Sequence, residues 1–424
     1  MKVLWFSLSP CSSTKRFGAE KLIQGWMISL ENAIKHTEGI SLEIAYMSNI
    51  DEQPFEYEGV KYYPIYSRGK SIISKLKNIY GTLASKDKEL YSVFKNIILQ
   101  SKPDIIHIHG TESSFCSITS EMTDIPIVYS IQGFIAPIAE QYFAGYPLAE
   151  LKKHETLKAR LMNKSVVANY KKFLYDAGRE KYAIKQAQHL IGRTNWDRSI
   201  CKLYNPNAKY YVVNEILREP FYNTVWEKTC FNNRFTIVST LSPGIYKGYE
   251  TLLKAAALLK EHATFDFEWR VVGCDKNSNW VKVSEEMTGH KSELCNITLL
   301  GTKNAKELAE ELKCADIYCH TSHIENSPNS VCEAMMLGMP VISTFVGGTD
   351  SMLEHEKEGI LYQDGDPYAL AAYIVDLRNN FERAVELGKK ARERARERHN
   401  KERIINELLK VYKEIINKLT YEHN

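Results

Sequence analysis

The chain of 424 residues lacks several features that would place it directly in a functional class. Its nine cysteines form no CxxC pair and no even spacing, which argues against a disulfide framework and indicates buried thiols in a reducing compartment. No apolar run approaches the length of a membrane span. The net charge of +3 is too small to indicate nucleic-acid binding. No GxGxxG motif follows a predicted strand, which argues against a dinucleotide oxidoreductase.

The length instead predicts two or three soluble domains. Strands alternate with helices in two successive blocks, a pattern typical of α/β domains with a parallel sheet covered on both faces. We expect an N-terminal domain over residues 1–218, a second domain over 219–399 with a linker at its start (219–234), and a C-terminal helix over 400–424 that packs back toward the first domain. The N-terminus is predicted to be a first strand and not a signal peptide, so we expect a cytoplasmic protein.

The most informative stretch runs from Cys319 to Val346, CHTSHIENSPNSVCEAMMLGMPVISTFV. It predicts a buried strand, a polar loop, a helix and a second strand. Ser327 is the expected N-cap, Pro328 the first helical residue, and Gly338 the residue that ends the helix. Glu325 therefore falls in the loop.

This arrangement predicts a site for a sugar nucleotide. The first amides of a helix are unpaired and bind phosphate readily, and here they belong to Asn329, Ser330 and Val331. Glu325 and Glu333 flank them, and carboxylates accept hydrogen bonds from sugar hydroxyls. One such charged hydrogen bond contributes roughly 1.5–3 kcal/mol.

The order of motifs resembles a known family. Glu325-x7-Glu333 is followed by EAMMLGMPVI, by VGG at 346–348, by EGI at 358–360 and by Asp364-Gly-Asp366. Together they resemble the GT-B glycosyltransferases of family 4, which are retaining enzymes with an EX7E motif and nucleotide-sugar donors. The resemblance implies two Rossmann-like domains facing a cleft and a role in bacterial polysaccharide or glycolipid synthesis. It covers nearly the whole chain and is strongest from Phe235 to Asn379.

The resemblance also implies roles for individual residues. Glu325 would lie beside the hydroxyls of the donor sugar, and Glu333 would hold the ribose hydroxyls. The amides from Asn329 to Val331 would hold the sugar and the phosphates. Lys247 would neutralise the diphosphate, and the loop containing Gly18 would approach it from the first domain.

Two positions depart from the family pattern. The family has an arginine a few residues before the lysine, near Thr240, and this chain has none. It also has a histidine after the strand that here reads IVYSIQG, where this chain has Gln132. Gln132 would then touch the donor sugar, and His109 becomes the nearest candidate for the catalytic histidine.

No metal or organic cofactor is expected beyond the substrate itself, a UDP- or GDP-linked sugar. His107 and His109 form an HxH pair, but no third ligand is evident in the sequence. Asp364-Gly-Asp366 resembles a metal-binding DxD, and we interpret it as a turn in which Asp366 caps the next helix.

The lysine-rich segment from Lys152 to Lys185 has two interpretations: a solvated helical face, or a basic surface that contacts an anionic membrane near a lipid-linked glycan acceptor. The second would place the protein peripherally on the inner face of the membrane. Two functional alternatives also stay open. One is a GT-B sugar-nucleotide epimerase, and the other is a non-catalytic protein that binds a sugar nucleotide or a glycan.

Overall fold

The computed structural model describes residues 1–17, 25–66 and 83–422. The chain forms two compact units. The first contains Met1–Ala139, Lys158–Ile216 and Asn400–Asn424, and the second contains Glu140–Leu157 and Leu217–His399. Unlike in the predicted division, residues 140–157 belong to the second unit; the last helix belongs to the first unit, toward which it was expected to pack.

The first unit is built on an eight-stranded sheet. Its strands are β1 (Lys2–Ser7), β2 (Ser41–Ser48), β3 (Phe55–Tyr57), β4 (Val60–Tyr66), β5 (Ile105–His109), β6 (Ile127–Ser130), β7 (His189–Gly192) and β8 (Lys209–Val212). They lie in the order β3-β4-β2-β1-β5-β6-β7-β8. All neighbours are parallel except β3, which is antiparallel to β4. β3 is absent from the prediction, because three residues are too short a run to carry an alternating pattern.

Helices cover this sheet. They are Trp26–Ile34, Leu83–Ser101, Ile135–Glu140, Leu157–Leu161, Val166–Gln186, Asn195–Tyr204 and Lys401–Glu422, with short 3₁₀ turns at Cys11–Phe17 and Ser114–Ser117. The last helix packs into the first unit through Tyr412, which is fully buried. Its hydroxyl accepts a hydrogen bond from Trp5 Nε1 at 3.1 Å and lies 2.5 Å from His107 Nδ1.

The second unit is built on a six-stranded parallel sheet. Its strands are β9 (Phe235–Thr240), β10 (Phe267–Val272), β11 (Ile297–Gly301), β12 (Ile317–His320), β13 (Val341–Thr344) and β14 (Ile360–Tyr362). They lie in the order β11-β10-β9-β12-β13-β14. The helices are Leu148–Lys153, Glu219–Asn223, Tyr249–His262, Asn279–Thr288, Ala305–Cys314, Asn329–Leu337, Pro367–Asn379 and Phe381–Arg398, with 3₁₀ turns at Ile245–Lys247, Glu293–Cys295 and Thr349–Ser351. The observed GT-B architecture of two doubly wound α/β units with a C-terminal helix confirms the predicted fold class.

One local prediction in the second unit is wrong. Residues 219–234 are not a linker, because Trp226 is buried and donates from Nε1 to the Ala315 carbonyl at 2.8 Å. Residues 348–355 contain only the short turn Thr349–Ser351. The expected C-terminal helix is observed at Lys401–Glu422, and the Asn400 side chain accepts from the Arg403 amide at its start. In the described ranges, no helix has both the length and the apolar character needed to cross a bilayer.

Candidate active site

The candidate site lies at the carboxyl edge of the second unit's sheet. β12 lies between β9 and β13, so the loops that follow these three parallel strands meet at one edge. This is where ligands bind in doubly wound sheets. The loop after β12 carries Glu325, the loop after β9 carries Lys247, and the loop after β13 carries Gly347. The topology therefore brings together residues that lie far apart in the sequence.

Glu325 and Lys247 form a buried ion pair. Lys247 Nζ lies 2.5 Å from Glu325 Oε1, and their side chains are only 15% and 17% exposed. The Ser322 hydroxyl donates to the same oxygen at 3.0 Å, and His320 Nε2 lies 3.6 Å away, which is too far for a hydrogen bond. Burial raises the pKa of Glu325, but the attraction of Lys247 and His320 outweighs it and holds that pKa at about 2. Glu325 is therefore a carboxylate at neutral pH.

Two glycines allow the neighbouring loops to approach this pair. Gly248 has a φ of +72°, and a Cβ there would lie 1.8 Å from the Thr321 carbonyl oxygen. Gly347 has a φ of +51°, and a Cβ there would lie 1.8 Å from the carbonyl oxygen of Glu325. Only glycine fits such a backbone conformation at such a distance. Gly248 and Gly347 thus allow two neighbouring loops to contact the backbone of the Glu325 loop.

His323 joins the same loop to two other elements. Its Nε2 lies 2.6 Å from Glu250 on the helix Tyr249–His262, and its Nδ1 lies 2.7 Å from Asp364 after β14. Its amide donates to the Tyr246 carbonyl at 2.8 Å. Burial alone lowers the pKa of His323, but the two carboxylates outweigh it and raise that pKa to about 10. The charged imidazole therefore ties Glu250 to Asp364, and the His323 amide holds the segment that presents Lys247.

Glu333 lies on the helix Asn329–Leu337 and is paired with Arg218. Arg218 Nε and Nη2 donate to the two oxygens of Glu333, each at 2.7 Å. The Glu333 side chain is 4% exposed and that of Arg218 21%. Burial raises the pKa of Glu333 and Arg218 lowers it, with a net upward shift.

The start of this helix differs from the prediction. Pro328 is the N-cap, with an extended backbone at φ −68° and ψ 109°, and the helix begins at Asn329. Ser327 lies one residue outside and is not the cap. The Val331 amide donates to the Pro328 carbonyl at 3.0 Å, so it is not a free donor as predicted. The amides of Asn329 and Ser330 have no backbone partner in the described chain and remain available to an anion.

A chain of hydroxyls lies beside these amides. The Thr240 hydroxyl, at the end of β9, lies 2.7 Å from the phenol oxygen of Tyr318. Burial raises the pKa of Tyr318, and the hydrogen bonds from Ser330 and Thr240 oppose that shift. The position near Thr240 that lacks the expected arginine is thus occupied by neutral hydrogen-bonding groups.

The candidate residues of the first unit are described separately. His109 ends β5 and is only 1% exposed, and neither ring nitrogen has a hydrogen-bond partner in the described ranges. Its ring lies 4.5 Å from that of Trp5 and 3.7 Å from that of His107, centroid to centroid. Burial and the neighbouring His107 and Arg193 lower its pKa well below 6.5, so the imidazole is neutral. This burial does not favour a catalytic role for His109, which stays a prediction.

Gln132 lies in the loop between β6 and the helix Ile135–Glu140 and is half-buried. Gly18 lies outside the described residues, so the predicted approach of its loop to a diphosphate stays a prediction.

The Asp364-Gly-Asp366 segment is a turn, with Gly365 at a φ of +70°. Asp366 caps the helix Pro367–Asn379 by accepting from the amides of Tyr368 and Ala369, both at 3.0 Å. Asp364 is bonded to His323. The proposed turn is confirmed, and both carboxylates have structural partners.

Arg218 and His323 are absent from the predicted site. Arg218 lies at the predicted domain boundary, 115 residues from Glu333. His323 lies two residues before Glu325, but its partners are 73 and 41 residues away. The position of His323 beside the motif is a sequence feature that indicates it, whereas nothing in the local sequence around Arg218 indicates its partner.

Comparison with known proteins gives the enzyme class. Residues 226–394 match the family model described as glycosyl transferases group 1. An uncharacterized glycosyltransferase of Methanocaldococcus jannaschii is 23% identical over 93% of this chain and 95% of its own length. A UDP-Gal:alpha-D-GlcNAc-diphosphoundecaprenol alpha-1,3-galactosyltransferase of Escherichia coli is 24% identical over 66% of this chain and 67% of its own.

A similar solved structure is the sucrose-phosphate synthase of Thermosynechococcus elongatus, with a TM-score of 0.72 at 16% identity over 99% of this chain and 100% of that chain. It supports the GT-B fold. The matched domain and the relatives support the enzyme class, a glycosyltransferase.

Proposed function

We propose that the enzyme transfers a sugar from a UDP- or GDP-linked donor to a hydroxyl of a glycan or lipid-linked acceptor, with retention of the anomeric configuration. The observation that carries the proposal is the carboxyl edge of the second unit's sheet. There, the Glu325–Lys247 ion pair lies on neighbouring loops, and the helix that follows presents two amides without a backbone partner in the described chain. This set of groups can bind hydroxyls and phosphates at once.

The donor side of the reaction follows from these groups. The amides of Asn329 and Ser330 and the positive end of their helix suit a phosphate. Lys247 supplies a compact positive charge for the departing diphosphate, which is the main demand of this chemistry. Glu325, ionised at neutral pH, accepts from sugar hydroxyls. Glu325 and Glu333 are not an acid and base pair on either side of a glycosidic bond, as in a glycosidase.

The choice of donor and acceptor is supported by the Escherichia coli relative, whose name gives UDP-Gal as donor and a sugar-diphosphoundecaprenol as acceptor. The proposed donor is therefore a sugar linked to uridine or guanosine diphosphate. The proposed acceptors include a sugar that is linked through a diphosphate to a membrane lipid. No metal is assigned to the reaction.

A donor panel tests this proposal. UDP-, GDP- and ADP-sugars are added to the protein while its thermal unfolding is followed. A ligand at 100 times its Kd adds about 2.7 kcal/mol of stability. The stabilising donor is then incubated without acceptor, and the products are examined by NMR. Slow release of free sugar in its original anomeric form supports a retaining transferase. A new epimer of the donor supports the epimerase, and no reaction of a tightly bound donor supports a non-catalytic binding protein.

The Glu333→Ala variant tests the ribose assignment. Losing charged hydrogen bonds of roughly 1.5–3 kcal/mol should weaken donor binding about 10- to 100-fold, with a smaller change in turnover. Titration calorimetry and initial rates measure the two effects. Glu310→Ala, an exposed change in the same unit, is the control. Normal donor affinity in Glu333→Ala contradicts the assignment.

We also propose that a basic and apolar surface of the first unit contacts an anionic membrane. Large apolar side chains are exposed beside exposed basic ones between residues 158 and 174: Leu161 (68%), Met162 (39%) and Leu174 (47%) among Lys158, Arg160, Lys164 and Lys171. Each basic residue near an anionic surface contributes about 1 kcal/mol of attraction, and apolar side chains insert at the interface. This placement brings the enzyme to a lipid-linked acceptor.

Co-sedimentation with vesicles tests this contact. The protein should sediment with vesicles rich in phosphatidylglycerol and much less with phosphatidylcholine vesicles. Exchanging both Leu161 and Met162 for Ser should reduce the bound fraction, whereas Leu203→Ser, which changes an equally exposed leucine in the same unit, should not. Equal binding to both kinds of vesicle, or no effect of the double exchange, contradicts the proposal.

A further inference from the structure

Both carboxylates of the EX7E motif are paired with a cation from another part of the second unit. Glu325 has Lys247, which the motif pattern includes. Glu333 has Arg218, which it does not. The Arg218 side chain meets Glu333 side-on, with Nε and Nη2 each 2.7 Å from a different carboxylate oxygen. This two-point geometry fixes the plane of the carboxylate as well as its charge.

We infer that Arg218 is a positioning residue for the ribose of the donor, holding Glu333 in the plane and charge state in which its remaining lone pairs accept from both ribose hydroxyls. The inference rests on the proposed function, in which Glu333 holds that ribose. A carboxylate offers about four lone-pair directions, and the Arg218 contact uses two of them. Two directions, one on each oxygen, are left for two neighbouring hydroxyls.

Burial explains why Glu333 needs such a partner. Its side chain is 4% exposed, and a buried carboxyl without a cation takes up a proton, because the charged form is poorly solvated. Arg218 lowers the pKa of Glu333 against that effect. A protonated Glu333 would donate through one oxygen and lose one of its four accepting directions, so its two oxygens would no longer accept alike from two hydroxyls.

The chain also holds Arg218 itself in place. Arg218 precedes the helix Glu219–Asn223, which has Pro220 in its first turn, and its backbone is extended at φ −69° and ψ 141°. Its guanidinium lies 4.8 Å from the ring centroid of the buried Phe221. A flat guanidinium stacks on a ring and still presents two donors on its edge, which an ammonium cannot do.

The test compares nucleotides with and without the ribose 2′-hydroxyl. Binding of UDP, 2′-deoxy-UDP, GDP and 2′-deoxy-GDP is measured by calorimetry on the wild type and on Arg218→Gln and Arg218→Lys. The control is Arg234→Gln, because Arg234 is 53% exposed in the same unit and pairs with Asp266 at the surface. Circular dichroism confirms that each variant is folded.

The wild type should prefer the ribonucleotide by about tenfold or more, the size expected for one charged hydrogen bond. Arg218→Gln should reduce that preference to nearly onefold at neutral pH, and Arg234→Gln should leave it unchanged. Arg218→Lys keeps the charge but loses the two-point contact, so an intermediate preference is expected. If Arg218→Gln does not fold, the Arg218→Lys result decides.

A pH series separates positioning from a purely structural role. In the described chain, Arg218 and the phenol of Tyr318 are the titratable groups that act on Glu333. Without Arg218, Glu333 protonates at higher pH than in the wild type. The ribose preference of Arg218→Gln should therefore return as the pH rises. The smaller preference of Arg218→Lys should change with pH in the same way as that of the wild type.

The outcomes distinguish the inference from the function it rests on. If the wild type binds neither UDP nor GDP, the proposed function fails and the inference with it. If the wild type prefers ribonucleotides and both Arg218 variants keep that preference at every pH, the inference alone is overturned. A wild type that binds the ribonucleotide and its 2′-deoxy form equally well also overturns the inference.

Discussion

Breaking the Glu325–Lys247 pair from either side should destabilise the protein, and removing both charges should restore most of the loss. The variants are Lys247→Met, Glu325→Gln and the double variant, since each new side chain keeps the approximate size of the old one. The pair is suited to this test because Nζ and Oε1 are 2.5 Å apart and both side chains are less than one-fifth exposed.

The size of the effect follows from the geometry. At 2.5 Å and an effective dielectric constant of about 20, the attraction is ~7 kcal/mol before the cost of desolvation. The pKa of Glu325 falls from 4.5 to about 2, which corresponds to about 3 kcal/mol in favour of the charged form after that cost. Removing one partner of a buried pair costs about 3–5 kcal/mol, because the other charge stays buried alone. We expect each single variant to lose that amount.

Urea unfolding at neutral pH, followed by tryptophan fluorescence and circular dichroism, measures the four free energies of unfolding. The double variant should lie above both singles, so the coupling free energy should exceed the loss of either single variant, at about 4 kcal/mol or more. It should still be inactive, because Lys247 is proposed to act on the diphosphate. Lys254→Met, an exposed change on the neighbouring helix, should stay within about 0.5 kcal/mol of the wild type.

One result refutes this reasoning. If the two single effects add in the double variant, each residue contributes alone and the pair is not a coupled, desolvated unit. The carboxylate of Glu325 would then not depend on Lys247 for its ionisation.

Two further predictions concern the loops that hold this pair. His323 has a folded pKa of about 10 against 6.5 unfolded, so its contribution is complete below pH 6.5 and is lost as the pH rises toward 10. Unfolding free energies should fall by on the order of 3–5 kcal/mol over that window, and more gently in His323→Gln; equal slopes would count against the charged imidazole. Gly347→Ala should destabilise by roughly 1–3 kcal/mol and weaken donor binding, because a Cβ would meet the Glu325 carbonyl. Gly289→Ala has a similar positive φ with nothing near its Cβ, so it should show the strain in urea unfolding but leave donor binding intact.

Local patterns were sufficient for much of the fold. The cap at Asp366 is predicted correctly, because Asp366 and Pro367 mark the start of the helix Pro367–Asn379 in the sequence itself. The predicted helix start at Pro328 is wrong by one residue. Ser and Pro are both common at the N-terminal end of a helix, and their order alone does not decide which of them is the cap. The sequence pattern places Trp226 in a linker, because no periodicity shows that one aromatic residue anchors an irregular segment.

The candidate site divides in the same way. Glu325, Glu333 and Lys247 stand in recognisable motifs, and in the structure Glu325 and Lys247 form an ion pair. Arg218 pairs with a residue far away in the sequence, so no local pattern indicates it. His323 stands beside the motif, but its partners Glu250 and Asp364 lie far away in the sequence. His109 shows the converse: the end of a strand suggested an accessible residue, but the rings of Trp5 and His107 cover it.

The burial of Tyr412 against Trp5 and His107 has a consequence for the order in which the chain folds during synthesis. Trp5, in the first strand, leaves the ribosome early. Tyr412, which accepts its hydrogen bond, is made some four hundred positions later, after the whole second unit. The contacts of Trp5 and His107 with Tyr412 can therefore form only after the second unit has been made. A chain cut after the second unit would leave His107 and Trp5 without Tyr412. A fragment of the first unit must therefore include the C-terminal helix.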